Sequence, residues 1–386
     1  KWCYVLFFLV LIFLAFLSKE TAINIFGILL LISFFKVLIF TKEKIEIISF
    51  LKNMISIRSV SIFFTAFMSY MLFNSIVSTF PDSDVGIHFE QNPYHFYPAS
   101  HSIPNGIQTI FFYIKKLLIP FPLLFYYGYD MLPLEDWKSL NTVVGICILF
   151  VAIFLLIYNI IKRKSLFFTF WILFFFITIF PFTNLIYSIY VTGIVGERLA
   201  YQASSGFCMI LALLIFKLTD IIKVKYKMSE RLPYYISGFI IFPFLALTIN
   251  RNSQWLNKPT LFKHDIKYLS KSARSNFIIS NNYMKEIKNQ SDYSDTKQVK
   301  LNTAKNYLHQ ALKIYPDFDD ALISLGIIQY KYLNNSDSAA YVLQKVNKSN
   351  SFSYSRAQEL LGDIYYINYK KSKEAVSYYR TGFNYT

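Results

Sequence analysis

Apolar residues fall along this chain in long, nearly uninterrupted blocks, and the blocks stop at about residue 250. A helix needs about 20 mostly apolar residues to cross a bilayer. Seven blocks approach that length: 2–17, 21–40, 60–80, 141–161, 166–182, 199–218 and 234–250. The first two are separated only by Ser18-Lys19-Glu20, a tight polar turn. If the blocks alternate across a membrane, three basic links share one side: Lys42, Lys44, Lys52 and Arg58; Lys162-Arg163-Lys164; and Lys217, Lys223, Lys225, Lys227 and Arg231. Basic loops stay in the cytoplasm. Residues 18–20, 81–140, 183–198 and everything after Asn250 are then extracytoplasmic.

The loop 81–140 has a pattern of its own. It opens on Asp82, Asp84, His88 and Glu90, and then becomes apolar and aromatic over Ile103–Phe125. Lys115-Lys116, Pro120 and Pro122 break that stretch. An amphipathic helix lying in the outer interface fits this pattern better than a span does. Tyr126-Tyr127-Gly128-Tyr129-Asp130 at its end resembles an interfacial aromatic belt.

After Asn250 the chain turns polar, and a repeat emerges. Leu325-Gly326 and Leu361-Gly362 stand 36 residues apart. Each pair is followed by tyrosine (Tyr330; Tyr365 and Tyr366), by small residues (Ala339 and Ala340; Ala375) and by Val342 or Tyr378. This is the tetratricopeptide pattern of paired helices. A degenerate copy precedes it: a helix near Ala273–Tyr283, a polar insertion around Asn289–Gln298, then Ala304, Leu308, Ala311 and Pro316. Stacked pairs of this kind share a core and leave a concave face for peptides.

Composition agrees with the block pattern. The 386 residues are 54% hydrophobic and 19% aromatic, too apolar for an ordinary soluble domain. The net charge of +16 raises nucleic acid as a ligand, but the basic residues sit in the links between apolar blocks, where membrane orientation explains them. No nucleic-acid partner is expected. Cys3, Cys147 and Cys208 each lie alone in an apolar block, which predicts buried small hydrophobes rather than disulfides or a zinc site. The chain starts at Lys1 and enters an apolar block with no small-residue cleavage site, so a signal peptide is not expected and a missing upstream segment is.

Candidate chemistry gathers at the ends of blocks. Glu197-Arg198-Leu199-Ala200-Tyr201 puts an acid and an arginine at the mouth of block 199–218. Charges at the rim of a membrane bundle are costly unless paired or used. Arg198 snorkelling to headgroups is the plain alternative. Lys19-Glu20 forms a second charged pair on the same side, and a mutual ion pair capping the helix ends accounts equally for both. His88, His95 and His101 lack the spacing of a helical metal pair, so no metal site is expected. Asp82 and Asp84 read as a solvated loop start, with metal or acceptor binding as the other option. Lys115-Lys116 read as snorkelling residues, with phosphate contact as the other option. Arg251–Arg274 reads as a structural junction. No Gly-rich nucleotide loop and no serine or cysteine nucleophile constellation is present.

Four ordered stretches carry a resemblance: Leu17-Ser18-Lys19-Glu20-Thr21-Ala22; Asn92-Pro93 with Tyr113–Pro122, Tyr127-Gly128-Tyr129-Asp130 and Leu132-Pro133-Leu134; Glu197 through Phe207; and Arg251-Asn252, Trp255, Leu261-Phe262, Asp265 and Ser272-Ala273-Arg274. In this order the chain resembles the transmembrane and tetratricopeptide-repeat-containing O-mannosyltransferases and their bacterial relatives, which are membrane glycosyltransferases of the GT-C fold. Gln202-Ala203-Ser204 departs from the Leu-Pro-Ser type sequence more usual there. The resemblance implies an all-α protein, with a GT-C-like bundle over 1–250 and about three tetratricopeptide repeats over 251–386.

It further implies transfer of a sugar, mannose or similar, from a polyprenyl-phosphate donor to a protein hydroxyl outside the cytoplasm. The family's catalytic carboxylates lie in a first outer loop, which here would fall N-terminal to Lys1. On this reading Arg198, helped by Lys19, holds the donor phosphate, because a guanidinium fork keeps its charge and grips phosphate oxygens in pairs. Glu197, Glu20, Tyr201 and Asp130 support it or contact sugar and acceptor. No cofactor beyond the lipid-phosphate donor is implied. The repeats would engage a protein acceptor, and the composition, rich in Lys, Ile, Phe, Tyr and Asn, suits a bacterial inner membrane. A non-catalytic membrane scaffold for envelope proteins is the alternative. Acids paired in the upstream loop would favour the enzyme over the scaffold. A ligase or polymerase that extends a glycan is a third reading, and it would keep working without the repeats.

Overall fold

The computed structural model describes residues 2–18, 20–40, 57–77, 89–185, 193–288, 295–348 and 350–385. Among the described residues every regular element is helical: α1 (Trp2–Ser18), α2 (Asn24–Phe40), α3 (Ile57–Val77), α4 (Ser102–Leu118), α5 (Leu140–Lys162), α6 (Leu166–Ile179), α7 (Tyr201–Tyr226), α8 (Leu232–Gln254), α9 (Lys258–Leu269), α10 (Ala273–Lys288), α11 (Asp295–Ile314), α12 (Asp319–Ile327), α13 (Ser336–Leu343), α14 (Ser351–Ile367) and α15 (Ser372–Phe383). The chain is all-α in its described part. Lys19, Lys42, Lys44, Lys52, Asp82, Asp84, His88 and residues 289–294 of the polar insertion lie outside the described residues.

α5 and α8 are each 23 residues long and apolar enough to cross a membrane. Ser139 caps α5 by accepting from Thr142 N, and Arg163 ends it in a left-handed conformation. Around α5, Phe150 and Ile161 are each 71% exposed, and Ile153, Phe154 and Ile157 are exposed as well. A helix apolar on its outward faces suits lipid rather than water. Leu6–Ser18, Asn24–Ile39, Phe63–Phe73 and Leu166–Phe182 are shorter apolar helices.

Aromatic packing joins these helices. Phe16 of α1 stacks on Tyr70 of α3, Phe26 of α2 stacks on Phe63 of α3, and Phe35 of α2 meets Phe170 of α6 edge-on. α6 and α7 approach most closely at Gly206, where an added Cβ would stand 3.0 Å from Phe175 N and from Trp171 O. Buried Asn24 ties α2 to both, donating to Thr178 O at 3.0 Å and to Gln202 Oε1 at 2.7 Å.

Residues 89–139 fold into a platform. α4 ends at Leu118, short of the expected 125, because a residue before proline is pushed out of helical geometry and Pro120 follows Ile119. Its buried face is partly polar: Gln108 donates to Glu135 Oε1 at 3.1 Å, and Asn105 Oδ1 accepts from Glu135 N at 2.9 Å. Tyr94 Oη sits 2.8 Å from Gln108 Oε1. The helix also packs on α5, where Ile107 fills the space at Gly145.

The polar C-terminal segment packs as consecutive helix pairs. α10, α11 and α12 share a core of Ala273, Leu301, Ala304, Leu308, Ala311 and Leu325. α12 to α14 share another, with Leu322, Ala339, Leu343, Ala357 and Leu361. Gly326 and Gly362 lie where partner side chains cross, and a Cβ would meet Leu343 at 2.7 Å or the Tyr379 ring at 2.5 Å. That accounts for the spacing of the two Leu-Gly pairs. The three cysteines correct an expectation: Cys3, Cys147 and Cys208 are exposed, not buried, since each sits on an outward or groove-facing side of its helix.

Two glycines give opposite expectations. Gly206→Leu pushes α7 off α6 and lowers stability by about 1–3 kcal/mol or more. Gly238→Ala, in α8 with nothing within 4 Å of the new methyl, gains roughly 0.5–1 kcal/mol from helix propensity. Thermal unfolding in one detergent measures both, and a Gly206→Leu protein as stable as its parent would refute the close α6–α7 packing.

Candidate functional site

Residues 121–127 form an irregular strip beside the start of α7, and its amides need partners. Glu197 supplies one. It opens the short 3-10 turn Glu197–Ala200 ahead of α7. One of its carboxylate oxygens accepts from Leu124 N at 3.0 Å and from Tyr127 Oη at 2.5 Å. Asp265 of α9 supplies the next, accepting from Phe125 N at 2.8 Å. Ile194 N donates to Tyr127 O at 2.7 Å. That close approach requires a glycine next door: Gly193 has φ +101° and its Cβ would fall 2.4 Å from Tyr127 O.

Below this strip lies a cavity of about 660 Å³. Its length is walled by apolar residues of α7 and α8, among them Phe207, Leu211, Ile215, Ile240 and Phe244. At the strip end it meets Tyr113, Lys116 and Glu197. Tyr113 is fully buried and its hydroxyl accepts from Gly196 N at 3.2 Å. Lys116 is half-buried, and among the described residues its ammonium donates to Pro122 O alone. An ammonium has three donors, so two remain for whatever enters. The arrangement is an apolar slot with one cationic end.

Burial sets the electrostatics. Desolvation pushes the Glu197 carboxyl above the usual carboxylate range, against the pull of Tyr127, Leu124, Lys116 and Arg251. Desolvation lowers the Lys116 ammonium, opposed by Glu197. The Tyr127 phenol is raised by burial and by the Glu197 carboxylate. Tyr113 is raised chiefly by burial, with Glu197 adding to the rise and Arg198 opposing it, so the Arg198 charge reaches this end of the slot.

Of the sequence candidates among the described residues, Glu197 and Lys116 line the slot. Arg198 is exposed at its rim and makes no ion pair among the described residues. Tyr201 is 81% exposed. Asp130 is exposed on a turn with φ +63° and is not among the lining residues. Glu20 begins a short 3-10 turn before α2, and its neighbour Lys19 lies outside the described residues. His101 Nδ1 lies 3.2 Å from Glu135 O, away from the slot. Lys116, read from sequence as a snorkelling residue with phosphate contact as the other option, turns toward the slot. The signal that could have found it was its place one turn before the helix-ending prolines, which fold the chain back over its ammonium. The junction residues Arg251 and Asp265 prove to be part of the site's frame.

No family model matches this chain, and a comparison with curated proteins gives no match either.

The Glu197 shift fixes a pH dependence. A carboxyl raised in the folded state holds its proton there longer than in the unfolded chain, so its contribution to stability is full below the ordinary carboxylate pKa and falls as pH rises through the raised value. Glu197→Gln keeps an acceptor for Leu124 and Tyr127 and removes the charge. The variant is expected to lose that fall and to be at least as stable as its parent at neutral pH, whereas Glu197→Ala leaves two buried donors unpaired and is destabilised by roughly 1–3 kcal/mol. Thermal unfolding across pH checks this; a parent-like pH slope in Glu197→Gln would contradict it.

Proposed function

We propose that this chain is the carrier-binding part of a membrane glycosyltransferase of the GT-C type, with the extracytoplasmic C-terminal helix pairs acting as tetratricopeptide repeats that engage a protein acceptor. One observation carries the reading: the long apolar slot between α7 and α8 ends at Lys116, Tyr113 and Glu197. A polyprenyl phosphate has the matching form, a long hydrocarbon with one anionic end. The slot takes the tail, and Lys116 meets the phosphate with Arg198 at the rim beside it. The seven apolar helical blocks serve as spans in a bacterial inner membrane, with the platform and the repeats outside.

The chemistry follows from that placement. The acceptor hydroxyl oxygen bonds to the anomeric carbon of the sugar, and the bond from that carbon to the phosphate oxygen breaks. The phosphate leaves with the electron pair, and the hydroxyl proton passes to a carboxylate within hydrogen-bond reach. Cationic donors stabilise the leaving phosphate as its charge grows. Lys116 contributes there because an incoming anion restores the charged state that burial disfavours. By the resemblance, that proton acceptor is a carboxylate of the kind the family carries in its first outer loop.

Full-length protein in proteoliposomes, supplied with a polyprenyl-phosphate sugar and a hydroxyl-bearing peptide, tests the reading. Losing a charged hydrogen bond to a developing anion costs about 2–4 kcal/mol, so Lys116→Gln and Arg198→Ala are each expected to slow transfer roughly thirty- to thousandfold. Leu211→Trp, which fills the slot, is expected to raise KM for the carrier. Transfer that is indifferent to Lys116 removes it from the phosphate site. No transfer by the parent, with peptide capture intact, favours the scaffold.

A further inference from the structure

α8 is the outer wall of the slot, presenting Ser237, Ile240, Ile241, Phe244, Leu245 and Thr248 to it. Little else holds that wall. Pro233, at the cytoplasmic end in the proposed topology, is its buried residue. Pro243 sits inside the helix, where proline removes a backbone hydrogen bond and makes a natural bending point. The other end carries Arg251, whose side chain is 12% exposed and packs over the Trp255 ring. Arg251 reaches across to Asp265 with both prongs of its fork, Nη1 to Oδ1 at 2.7 Å and Nη2 to Oδ2 at 2.9 Å.

Asp265 is wholly buried, and it is shared. The same carboxylate accepts from Phe125 N in the strip that roofs the slot, and His264 Nδ1 lies 2.8 Å from it. Around it the strip and α9 interlock, with Phe125 against Phe262 and Phe121 against Tyr268. One carboxylate, borne by the first helix of the polar C-terminal segment, therefore fixes wall and roof together.

We propose that Asp265 is a positioning residue: through Arg251 it clasps the α8 wall to the 121–127 roof, so that the C-terminal helices control the width of the slot's opening towards the bilayer. The proposal rests on the reading of the slot as a lipid site. When the clasp parts, α8 swings about Pro243 and the opening between α7 and α8 widens, as admission of a lipid tail from the side requires.

The test uses the full chain in lipid nanodiscs, with Cys3, Cys147 and Cys208 replaced by serine. Spin labels are placed at Ile249→Cys and Phe150→Cys, two exposed positions on α8 and α5. The parent is expected to give one main distance. Asp265→Asn, and Arg251→Lys, which keeps the charge but loses the fork, are each expected to raise the population at a second distance roughly tenfold or more. The double variant should do no more than the larger single one, because both remove the same interaction. Parent-like distributions in both single variants, or a double variant whose effect is the product of the two, would overturn the clasp. Should Asp265→Asn fail to fold, Arg251→Lys decides alone. Undecaprenyl phosphate separates the two readings: a raised melting temperature of the parent supports a lipid slot, and an unchanged one removes the lipid reading, while the label distances still report on the clasp.

Discussion

Two carboxylates take two successive backbone amides: Glu197 holds Leu124 N and Asp265 holds Phe125 N. The strip between them has no helix or sheet to satisfy its donors, and a buried amide without a partner is costly. Ionised acceptors bind amides more strongly than neutral ones. The strip is consequently held by side-chain acceptors rather than by secondary structure, from the start of α7 on one side and from α9 on the other. Tyr127 and Ile194 extend the same hold.

The desolvation that raises the Glu197 carboxyl also prepares the site. Glu197, Lys116 and Tyr113 share one end of an otherwise apolar space, and each is shifted by burial toward its neutral form. Such a site favours a guest that brings an opposite charge to the lysine and hydrocarbon to the walls. Water offers neither, an inorganic anion offers only the first, and a bare lipid tail offers only the second. The amphiphile with an anionic head proposed as the guest would meet both demands.

The C-terminal helices are coupled to this site by contact as well as by sequence order. Arg274 lies 3.5 Å from Glu90 of the platform and 3.0 Å from Asp320 of α12, while Tyr315 packs against Phe89 and Tyr129. Tyr129 of the aromatic run Tyr126–Tyr129 supplies part of this junction within the chain. Tyrosine suits such a junction because it joins a large apolar ring to a polar tip.

Much of this fold was legible along the chain. Long apolar blocks dictate helices whose backbone groups are satisfied internally, and helices stand at all seven blocks. Ala304, Leu308 and Ala311, and the two Leu-Gly pairs, announced helix pairing through the small residues that close crossings need. The importance of Glu197 was visible too, because an acid at the end of an apolar block demands a reason. Its partners were not: Leu124 and Tyr127 lie 73 and 70 residues away. Nor could sequence turn Lys116 inward and leave Arg198 at the rim, or give Asp265 its place between a wall and a roof. Composition and periodicity act through neighbours a few residues apart, and so fix which segments become helices and which faces avoid water. Which amide finds which carboxylate depends on long-range packing, and only the assembled structure decides it.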